Sequence, residues 1–443
     1  MLGYILLFTA IIFYGDKRLR FLSIFLYVSF MLGTQGGGLC LWTDQVIGVK
    51  NVDLSIIYTF CINIYLLFVN QWRLPKARWT ITYKALLFFV ACCALFSFFH
   101  YHFTPYQILQ GSRIFLLLFS LPIFMRLSYN DFCKVMTLLL WVTVLTSALY
   151  ILQIVVGHPI MPYRYEYRYD EATGLVRLYN IPPLLGFFLI YSFVRPQFFK
   201  GPVNLYRILF FVSVMCTLGR TYIFSTILSV ILAVMLNGKV TRILMTTFII
   251  GILFFPFIGM IEQRFKSGGT QSDLKALQRG SYEDYQGEGS MSYRFAWIYE
   301  RYDYLKDRPL GEKIFGLGFI SGSQPIVYRM YDFKVGLVDE DGNVSQLHTP
   351  DTSYGNLLSK LGFIGGVIYL IFVLSLLFFF FRFRKKSPLF ASCAASLLLL
   401  ILTGFSGSDL SEPRNFAIYF LALSTLSLNT LVYKQSGISR SKC

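Results

Sequence analysis

The stretch that decides the fold is Gly362–Phe381, GFIGGVIYLIFVLSLLFFFF, which contains no charged residue. A helix that crosses the hydrocarbon of a membrane needs about 20 apolar residues. Together with the residues before it, this run predicts a membrane span over 353–381. Similar apolar runs predict further spans at 2–14, 21–34, 54–70, 84–103, 107–128, 131–156, 181–195, 204–218, 221–237, 243–261, 388–404 and 415–433. The sequence therefore predicts an all-α polytopic membrane protein with about 12–13 transmembrane helices.

The composition supports this class of protein. Hydrophobic residues make up 55% of the 443 residues and charged residues only 14%, whereas soluble domains have about 25% charged residues. A soluble protein of this size has too little interior to bury 45 Phe and 30 Tyr beside its other apolar residues. The excess must face lipid.

The net charge of +17 is distributed in short basic clusters between the apolar runs. Lys and Arg are concentrated in alternate loops, and this pattern encodes the topology of membrane proteins. We therefore expect membrane lipid and not nucleic acid as a partner. The positive-inside rule places these loops and the C-terminus in the cytoplasm. The predicted organisation is a membrane domain of about ten spans over 1–261, a folded and partly helical outer loop over 262–350, and three spans with a cytoplasmic tail over 351–443.

Arginines on the predicted outer face are the first candidates for a site, because ionisable residues at a membrane are costly and often functional. Arg220 lies in the tight connection Cys216–Tyr222, where Gly219 would allow close backbone approach. Arg220 is either an interfacial anchor for lipid phosphate or a cation directed into an outer cavity that binds an anionic substrate.

A tyrosine-rich loop precedes another of these arginines. Residues 162–170 alternate with period two, which predicts a strand with Tyr165 on its tyrosine face, and residues 175–179 predict a returning strand. The tyrosines are either part of an interfacial aromatic belt or a platform for sugar. Arg177, on the returning strand, lies just before the next span and is a further anion-binding candidate.

The outer loop contains one clear helix. Ser290–Arg308 reads as amphipathic with Phe295, Ile298, Tyr302 and Leu305 on its apolar face, and Pro309 ends it. Arg294 and Arg301 lie seven residues apart and so on one face. Each either pairs on the surface with Glu300 or Asp303, or binds substrate. The apolar turn Phe315–Phe319, with two glycines, suits close packing on the membrane domain.

His348 and Asp351 come just before the span at 353–381, with Tyr354 following. Asp351 is either the N-cap of that helix or an acceptor for the proton of a substrate hydroxyl. Residues 339–343 superficially offer paired carboxylates for a metal, but their composition is that of an exposed turn. We expect neither a metal nor a cofactor.

These motifs, in this order, resemble the O-antigen polymerase and O-antigen ligase superfamily, membrane glycosyltransferases of the C type. Leu218–Arg220 is similar to the family's Ser-Arg turn, with Gly in place of Ser. Arg294-x-x-Trp297 and Phe315-Gly-x-Gly-Phe319 are similar to two motifs of the family's late periplasmic loop. The ligases have a His eleven residues before a Gly-x-x-Gly motif, whereas the same spacing from Gly362 falls on Asp351. That departure is more similar to the polymerases.

The resemblance implies a metal-independent, inverting enzyme in the bacterial inner membrane. It would transfer a growing glycan from undecaprenyl diphosphate to a sugar hydroxyl of the next lipid-linked unit on the periplasmic face. Arg220, Arg294 and Arg177 would bind the diphosphate, and Asp351 or His348 would be the catalytic base. Arg301, Tyr354 and Tyr165 are weaker candidates for contact with substrate.

Several alternatives remain open at the level of the sequence. The product would be O-antigen, capsule or exopolysaccharide, and partners would include a chain-length regulator and a flippase. A ligase that transfers glycan to the core of lipopolysaccharide would share these motifs. A transporter of lipid-linked oligosaccharide would also need cations on its outer face, but transporters usually place ionisable residues near the middle of the membrane.

Overall fold

The computed structural model describes residues 2–32, 45–46, 49–161, 168–170, 175–237, 248–251, 255, 259, 290–322, 324–338, 342 and 344–432. Several parts of the sequence-based interpretation lie outside these residues. They include Tyr165, most of the predicted span at 243–261, the first part of the outer loop and the acidic turn at 339–343.

The described chain is almost entirely helical, which confirms the all-α class. Its helices are α1 (Leu2–Gly15), α2 (Arg20–Met31), α3 (Asn51–Phe68), α4 (Arg78–Phe99), α5 (Pro105–Leu116), α6 (Leu121–Phe124), α7 (Tyr129–Val156), α8 (Leu185–Val194), α9 (Val203–Cys216), α10 (Arg220–Asn237), α11 (Ser290–Lys306), α12 (Leu310–Phe315), α13 (Pro325–Met330), α14 (Ser353–Phe383), α15 (Pro388–Thr403) and α16 (Ala417–Val432). Two small antiparallel pairs accompany them, β1 (Gln45–Val46) with β2 (Val49–Lys50) and β3 (Arg168–Asp170) with β4 (Leu175–Arg177).

Five helical units within the described residues are long and apolar enough to cross a membrane: α3, α4, the Pro105–Phe124 unit, α7 and α14. The Pro105–Phe124 unit consists of α5 and α6 joined by a 3-10 turn. The other apolar helices are shorter. Every residue of α8 is buried, because α7, α9, α10 and α15 surround it. The predicted span at 181–195 is therefore an internal helix of ten residues in this structure.

The helix ends collect on two opposite faces of the molecule, as the alternation of basic clusters predicts. On one face, which we call the loop face, Ser353 at the start of α14 donates its backbone N–H to Gly404 after α15, and His100 after α4 lies 3.2 Å from Glu312 in the outer loop. On the other, the basic face, Arg20 hydrogen-bonds the carbonyl of Arg126. The loop face carries every candidate residue that the structure describes.

The long helix α14 is kinked at Gly362, whose φ of 66° and ψ of −169° are not helical. The break leaves the carbonyl of Ser359 to accept a hydrogen bond from Leu317 in the outer loop at 2.8 Å. A Cβ on Gly362 would lie 2.5 Å from the nitrogen of Gly316, and one on Gly316 would lie 2.6 Å from the nitrogen of Gly362. Two backbones therefore meet at a distance that only glycine permits.

The turn Phe315–Phe319 is the part of the outer loop that docks on the membrane domain, as its sequence predicts. The N–H of Phe319 donates to Ser97 of α4 at 2.8 Å. A Cβ on Gly111 of α5 would lie 2.3 Å from the nitrogen of Ile320. The turn thus passes between α4, α5 and α14 and fixes the outer loop to all three.

The loop helix α11 lies where the sequence predicts it, but only half of the predicted apolar face is buried. Leu305 is buried and Ile298 packs beside Trp297, whereas Phe295 and Tyr302 are exposed. The prediction was wrong for these two because α11 packs through Trp297 on Gly355 of α14, where a Cβ would come within 2.4 Å of the indole ring. This contact sets the orientation of α11 above the start of α14.

Candidate functional site

Arg294 and Asp351 form an ion pair at the junction of the outer loop and the membrane domain. Nη2 of Arg294 lies 3.8 Å from Oδ1 of Asp351, and the two side chains are 16% and 32% exposed. Arg294 extends from α11, whose position is fixed by Trp297, and Asp351 lies just before α14. The structure therefore brings together two residues that are far apart in the sequence and that sequence reasoning had assigned to a site.

Asp351 is not the cap of α14. Thr352 occupies the N-cap position, and no side chain makes a capping hydrogen bond there. The Asp351 segment is held by its neighbours instead, since the N–H of Asp351 donates to Oγ1 of Thr349 at 3.2 Å. Thr349 in turn exchanges hydrogen bonds with the side chain of Asn356. The carboxylate of Asp351 is thus placed by its backbone and carries no structural role in starting the helix.

His348 lies three residues before Asp351, and Lys360, Glu412, Arg414 and Arg113 are close enough to influence its charge. We call the surroundings of these residues the recess. The Nδ1 atom of His348 is buried and has no hydrogen-bond partner in the part of the chain that the structure describes. Burial lowers the pKa of His348 from 6.5 to about 4, and the nearby charges of Lys360 and Arg414 act in the same direction. The imidazole is therefore neutral at pH 7.

The segment 404–416, between α15 and α16, lines the recess from the opposite side. It supplies Glu412, which is buried and ion-paired with Arg414. Burial alone would raise the pKa of Glu412, but Arg414 and its other positive neighbours outweigh that effect and the net shift is downward. Glu412 is therefore a carboxylate at neutral pH.

Asp409 lies in the same segment. Burial among protein atoms, followed by the neighbouring Glu412, raises the pKa of its carboxyl group. Sequence reasoning missed Asp409 and Glu412. The signal available was the polar run 404–415 between two apolar stretches on the predicted outer side.

The segment 404–416 is tied to the start of α14 by Ser353. The Ser353 hydroxyl donates to the carbonyl of Gly407 at 2.7 Å and accepts from the N–H of Leu410 at 3.0 Å. Tyr369, two turns beyond the kink, donates its hydroxyl to the carbonyl of Leu410. These bonds hold Glu412 beside His348 although more than sixty residues separate them in sequence.

Arg220 is the first residue of α10 and is half-buried. The turn before it includes Leu218 with a φ of 53°. Tyr222, in the same first turn, contacts Gly186 through its hydroxyl and lies near Asp409. The start of α10 therefore borders segment 404–416. Within the described protein, the nearest atoms to a Cβ added at Gly219 lie at 3.6 Å, an ordinary contact.

A second ion pair lies on the side of the recess formed by α3 and α5. Nη1 of Arg113 is 3.6 Å from Oδ1 of Asp53, and both side chains are partly exposed. Arg113 is close enough to His348 to influence its charge. Asp53, in the first turn of α3, was not predicted as a site residue.

Arg177 lies elsewhere on the loop face. Its strand β4 pairs with β3, which confirms the hairpin within 168–170 and 175–177, and β4 packs on α7. The guanidinium stacks over the ring of Tyr179 at 4.8 Å. Among the described residues, no contact joins Arg177 to the Arg294–Asp351 pair.

Arg301 is not on the surface, contrary to the expectation of surface pairing. It is fully buried, pairs with Glu300 at 2.6 Å and donates to the carbonyls of Val335 and Gln346 at 2.7 and 3.1 Å. Its guanidinium also lies 4.0 Å from the centre of the Trp297 ring. Burial lowers its pKa to about 9, which leaves it charged at pH 7. Arg301 thus holds the outer loop together and has no surface with which to meet substrate.

Tyr354 is committed to packing between helices. Its hydroxyl donates to the carbonyl of Ile401 at 2.9 Å, and its ring lies 4.4 Å from that of Phe405. It is half-buried. As for metals, no group of three or more His, Cys, Asp or Glu side chains with suitable placement occurs within the described ranges.

The recess combines fixed cations with carboxylates at its edge. Arg294, Arg113 and Arg414 each lie within 4 Å of a carboxylate, while Lys360 is near Glu412. In such an arrangement an arginine can leave its carboxylate partner to bind an anionic ligand, and the carboxylate can then accept a proton.

Residues 205–370 match the family model described as O-Antigen ligase. The match covers less than half of the chain, from the start of α9 to the middle of α14, and includes Arg220, Arg294, His348 and Asp351. No curated protein matches the chain. The match confirms the resemblance to the O-antigen ligase and polymerase superfamily, and it indicates a glycosyltransferase-like membrane enzyme with a lipid-linked glycan as substrate.

Proposed function

Taking this family match as the starting point, we propose that the protein polymerises lipid-linked oligosaccharide repeat units. It transfers the growing glycan from undecaprenyl diphosphate to a sugar hydroxyl of the next lipid-linked unit. The loop face is periplasmic, and the protein resides in the bacterial inner membrane with its C-terminus in the cytoplasm. The polymer is O-antigen, capsule or exopolysaccharide. A flippase would act before the polymerase, and a chain-length regulator would act together with it.

The observation that carries this proposal is the 3.8 Å pair of Arg294 and Asp351 at the edge of the recess. Glycan transfer from a diphosphate needs a cation at the leaving group and a proton acceptor at the attacking hydroxyl. Arg294 and Asp351 supply one of each, both partly exposed and both held by well-packed elements.

On the donor side, cleavage of the sugar–diphosphate bond develops negative charge on the departing lipid diphosphate. Guanidinium groups fixed in advance stabilise this charge through paired N–H donors, without a metal ion. We assign this role to Arg294 and Arg220, and not to Arg177, which lies elsewhere on the loop face over the ring of Tyr179. Each charge-assisted hydrogen bond contributes about 1.5–3 kcal/mol.

On the acceptor side, the structure favours Asp351 over His348 as the base. The Asp351 carboxylate is 32% exposed, so a sugar hydroxyl can reach it. The Nδ1 atom of His348 is buried, so a substrate hydroxyl has less access to it than to the Asp351 carboxylate. We therefore assign His348 a positioning role beneath Asp351. Attack from the side opposite the leaving group would invert the anomeric configuration.

The experiment that tests the function uses purified protein in nanodiscs with synthetic undecaprenyl-diphosphate repeat units and EDTA, with products separated on a gel. A ladder of lengthening lipid-linked glycans would establish a metal-independent polymerase. Transfer that appears only when the lipid A–core acceptor is added would replace the polymerase by a ligase. No product with either acceptor would contradict both and leave the transporter as the remaining interpretation.

A further inference from the structure

The basic face contains a cavity that the proposed reaction does not use. Its volume is about 360 Å³, and it lies between the turn that joins α1 to α2 and the start of α7. Four cationic side chains, those of Lys17, Arg18, Arg20 and Lys134, line it together with Ser128, Asn130 and Asp131. It is large enough for a phosphate-bearing headgroup.

The positive charge of this cavity is not neutralised by the described part of the protein. None of the four cations lies within 4.0 Å of a carboxylate among the residues that the structure describes. The one acidic lining residue, Asp131, accepts a hydrogen bond from the hydroxyl of Ser128 at 2.6 Å in the capping turn of α7. An anion in the cavity would therefore meet a net positive field.

Two further features add to that field. The 28-residue helix α7 begins at the cavity wall, and the N-terminus of a long helix favours an anion. Arg126 lies beside Arg20, which donates to its carbonyl, and two of the Arg126 guanidinium nitrogens are buried without a hydrogen-bond partner in the described chain.

Arg20 and Lys134 are held in place rather than extended into solvent. Nε of Arg20 donates to the carbonyl of Tyr14 at 3.1 Å, near the end of α1. The ammonium of Lys134 lies 4.6 Å from the centre of the Phe21 ring. Fixed cations bind an anion at a lower cost in side-chain entropy than mobile ones.

The surface that leads to the cavity is suited to a lipid. Tyr4, Phe8 and Ile12 of α1 are 46%, 67% and 56% exposed, and their spacing of four places them in one strip along the helix. The strip ends at the turn that carries Lys17. An acyl chain on this strip would have its headgroup at the cavity.

We propose that this cavity binds the phosphate of an anionic phospholipid, with an acyl chain along Tyr4, Phe8 and Ile12. Inorganic phosphate and the lipid headgroup both offer a phosphate group to the cavity. The apolar strip beside the cavity favours the lipid over the free ion. Basic pockets between membrane helices are known to bind such headgroups.

The test is a thermal-melt titration of the full chain in detergent with short-chain phosphatidylglycerol, phosphatidylcholine or inorganic phosphate. The variant Lys17→Gln/Arg18→Gln/Lys134→Gln removes three cations from the cavity. It keeps Arg20, whose Nε hydrogen-bonds the carbonyl of Tyr14 near the end of α1. The control variant Arg382→Gln/Lys385→Gln/Lys386→Gln removes three cations from another turn of the basic face. We expect phosphatidylglycerol to stabilise the native protein, and its apparent affinity to fall about tenfold or more in the cavity variant alone.

Three outcomes would overturn the proposal. The first is stabilisation by phosphatidylglycerol no greater than by phosphatidylcholine. The second is an equal loss of affinity in the control variant, which would indicate general attraction to the basic face. The third is equal stabilisation by inorganic phosphate, which would assign the cavity to a soluble anion.

Discussion

Arg294 and Asp351 face each other at 3.8 Å, which is longer than a charge-assisted hydrogen bond between such groups. Both side chains reach solvent, and an exposed ion pair of this kind contributes only about 0–1 kcal/mol. A lipid diphosphate can therefore draw the guanidinium to itself at little cost. The carboxylate that remains has lost a positive neighbour, which makes it a better proton acceptor.

The first prediction concerns the geometry of the Arg294 guanidinium. Arg294→Lys keeps the charge but removes the paired N–H donors, and we expect the polymerisation rate to fall at least about tenfold, and about 10²–10³-fold for Arg294→Ala. The measurement is the initial rate of ladder formation by protein of verified monodispersity.

The matched control for Arg294 is Arg329, an exposed arginine on α13 of the same outer loop. Arg329→Lys and Arg329→Ala should leave the rate unchanged. If Arg294→Lys were as active as the native protein, the assignment of paired diphosphate contacts to Arg294 would be wrong.

The second prediction is a loss of stability in acid caused by His348. Its pKa in the folded protein is about 4, below the value of 6.5 for a solvent-exposed histidine. Between these values the unfolded chain binds more protons, so the stabilisation is complete above about pH 6.5 and is lost as the pH falls towards 4. The difference between the two pKa values corresponds to roughly 3–4 kcal/mol.

Thermal melts at pH 7.5, 6 and 5 measure this effect. In His348→Gln the melting temperature should fall less as the pH is lowered than it does in the native protein. Substitution of the exposed His102 by Gln should leave that fall as steep as in the native protein. An equally steep fall in His348→Gln would show that other groups cause it.

Sequence alone could single out Arg220, His348 and Asp351 as candidates, because each lies beside an apolar run, and Arg294, because it lies in an Arg-x-x-Trp motif. It could not identify Glu412 or Asp409 as their neighbours, since only the bonds of Ser353 to segment 404–416 bring them together. Arg301 was misjudged for another reason. A spacing of seven places two residues on one face of a helix but does not say how deeply each is buried.

At the level of elements, the contact between the outer loop and α14 depends on two glycines in a conformation that is essentially restricted to glycine. Gly316 has φ 79° and ψ −163°, and Gly362 has φ 66° and ψ −169°. This contact fixes the outer loop on α14, the helix that begins just after Asp351. Apolar sequence around Gly362 could predict a helix there but not its kink, because the kink depends on the docked turn.

The third prediction compares two glycines of α14. Gly362→Ala should destabilise the protein by about 2–5 kcal/mol, through backbone strain and the clash with Gly316. Gly366→Ala, where an added Cβ meets no atom within 4 Å, should be neutral or stabilising by up to about 1 kcal/mol.

The readouts are the melting temperature in detergent and the yield of monodisperse protein on gel filtration. Equal effects of the two substitutions would show that the Gly316–Gly362 contact does not hold the loop on the membrane domain.

For the whole molecule, apolar runs were sufficient to predict the helices. Twelve of the thirteen predicted spans overlap described helices, and the remaining one, 243–261, falls mostly outside the described residues. The runs could not show which helices face lipid. The ten residues of α8 are as apolar as any span but are all buried, because hydropathy does not distinguish a lipid neighbour from a helix neighbour.

The last prediction is the orientation of the chain, which we infer from the alternation of basic clusters and which the proposed function requires. A fluorescent protein fused to the C-terminus should fluoresce, because we expect this end in the cytoplasm. An epitope inserted within 270–280 should bind antibody in intact spheroplasts. The same epitope inserted at Lys385–Lys386, in a turn of the basic face, should bind antibody only after permeabilisation. The opposite pattern would place Arg294 and Asp351 in the cytoplasm, where the lipid-linked donor of a periplasmic polymerase could not reach them.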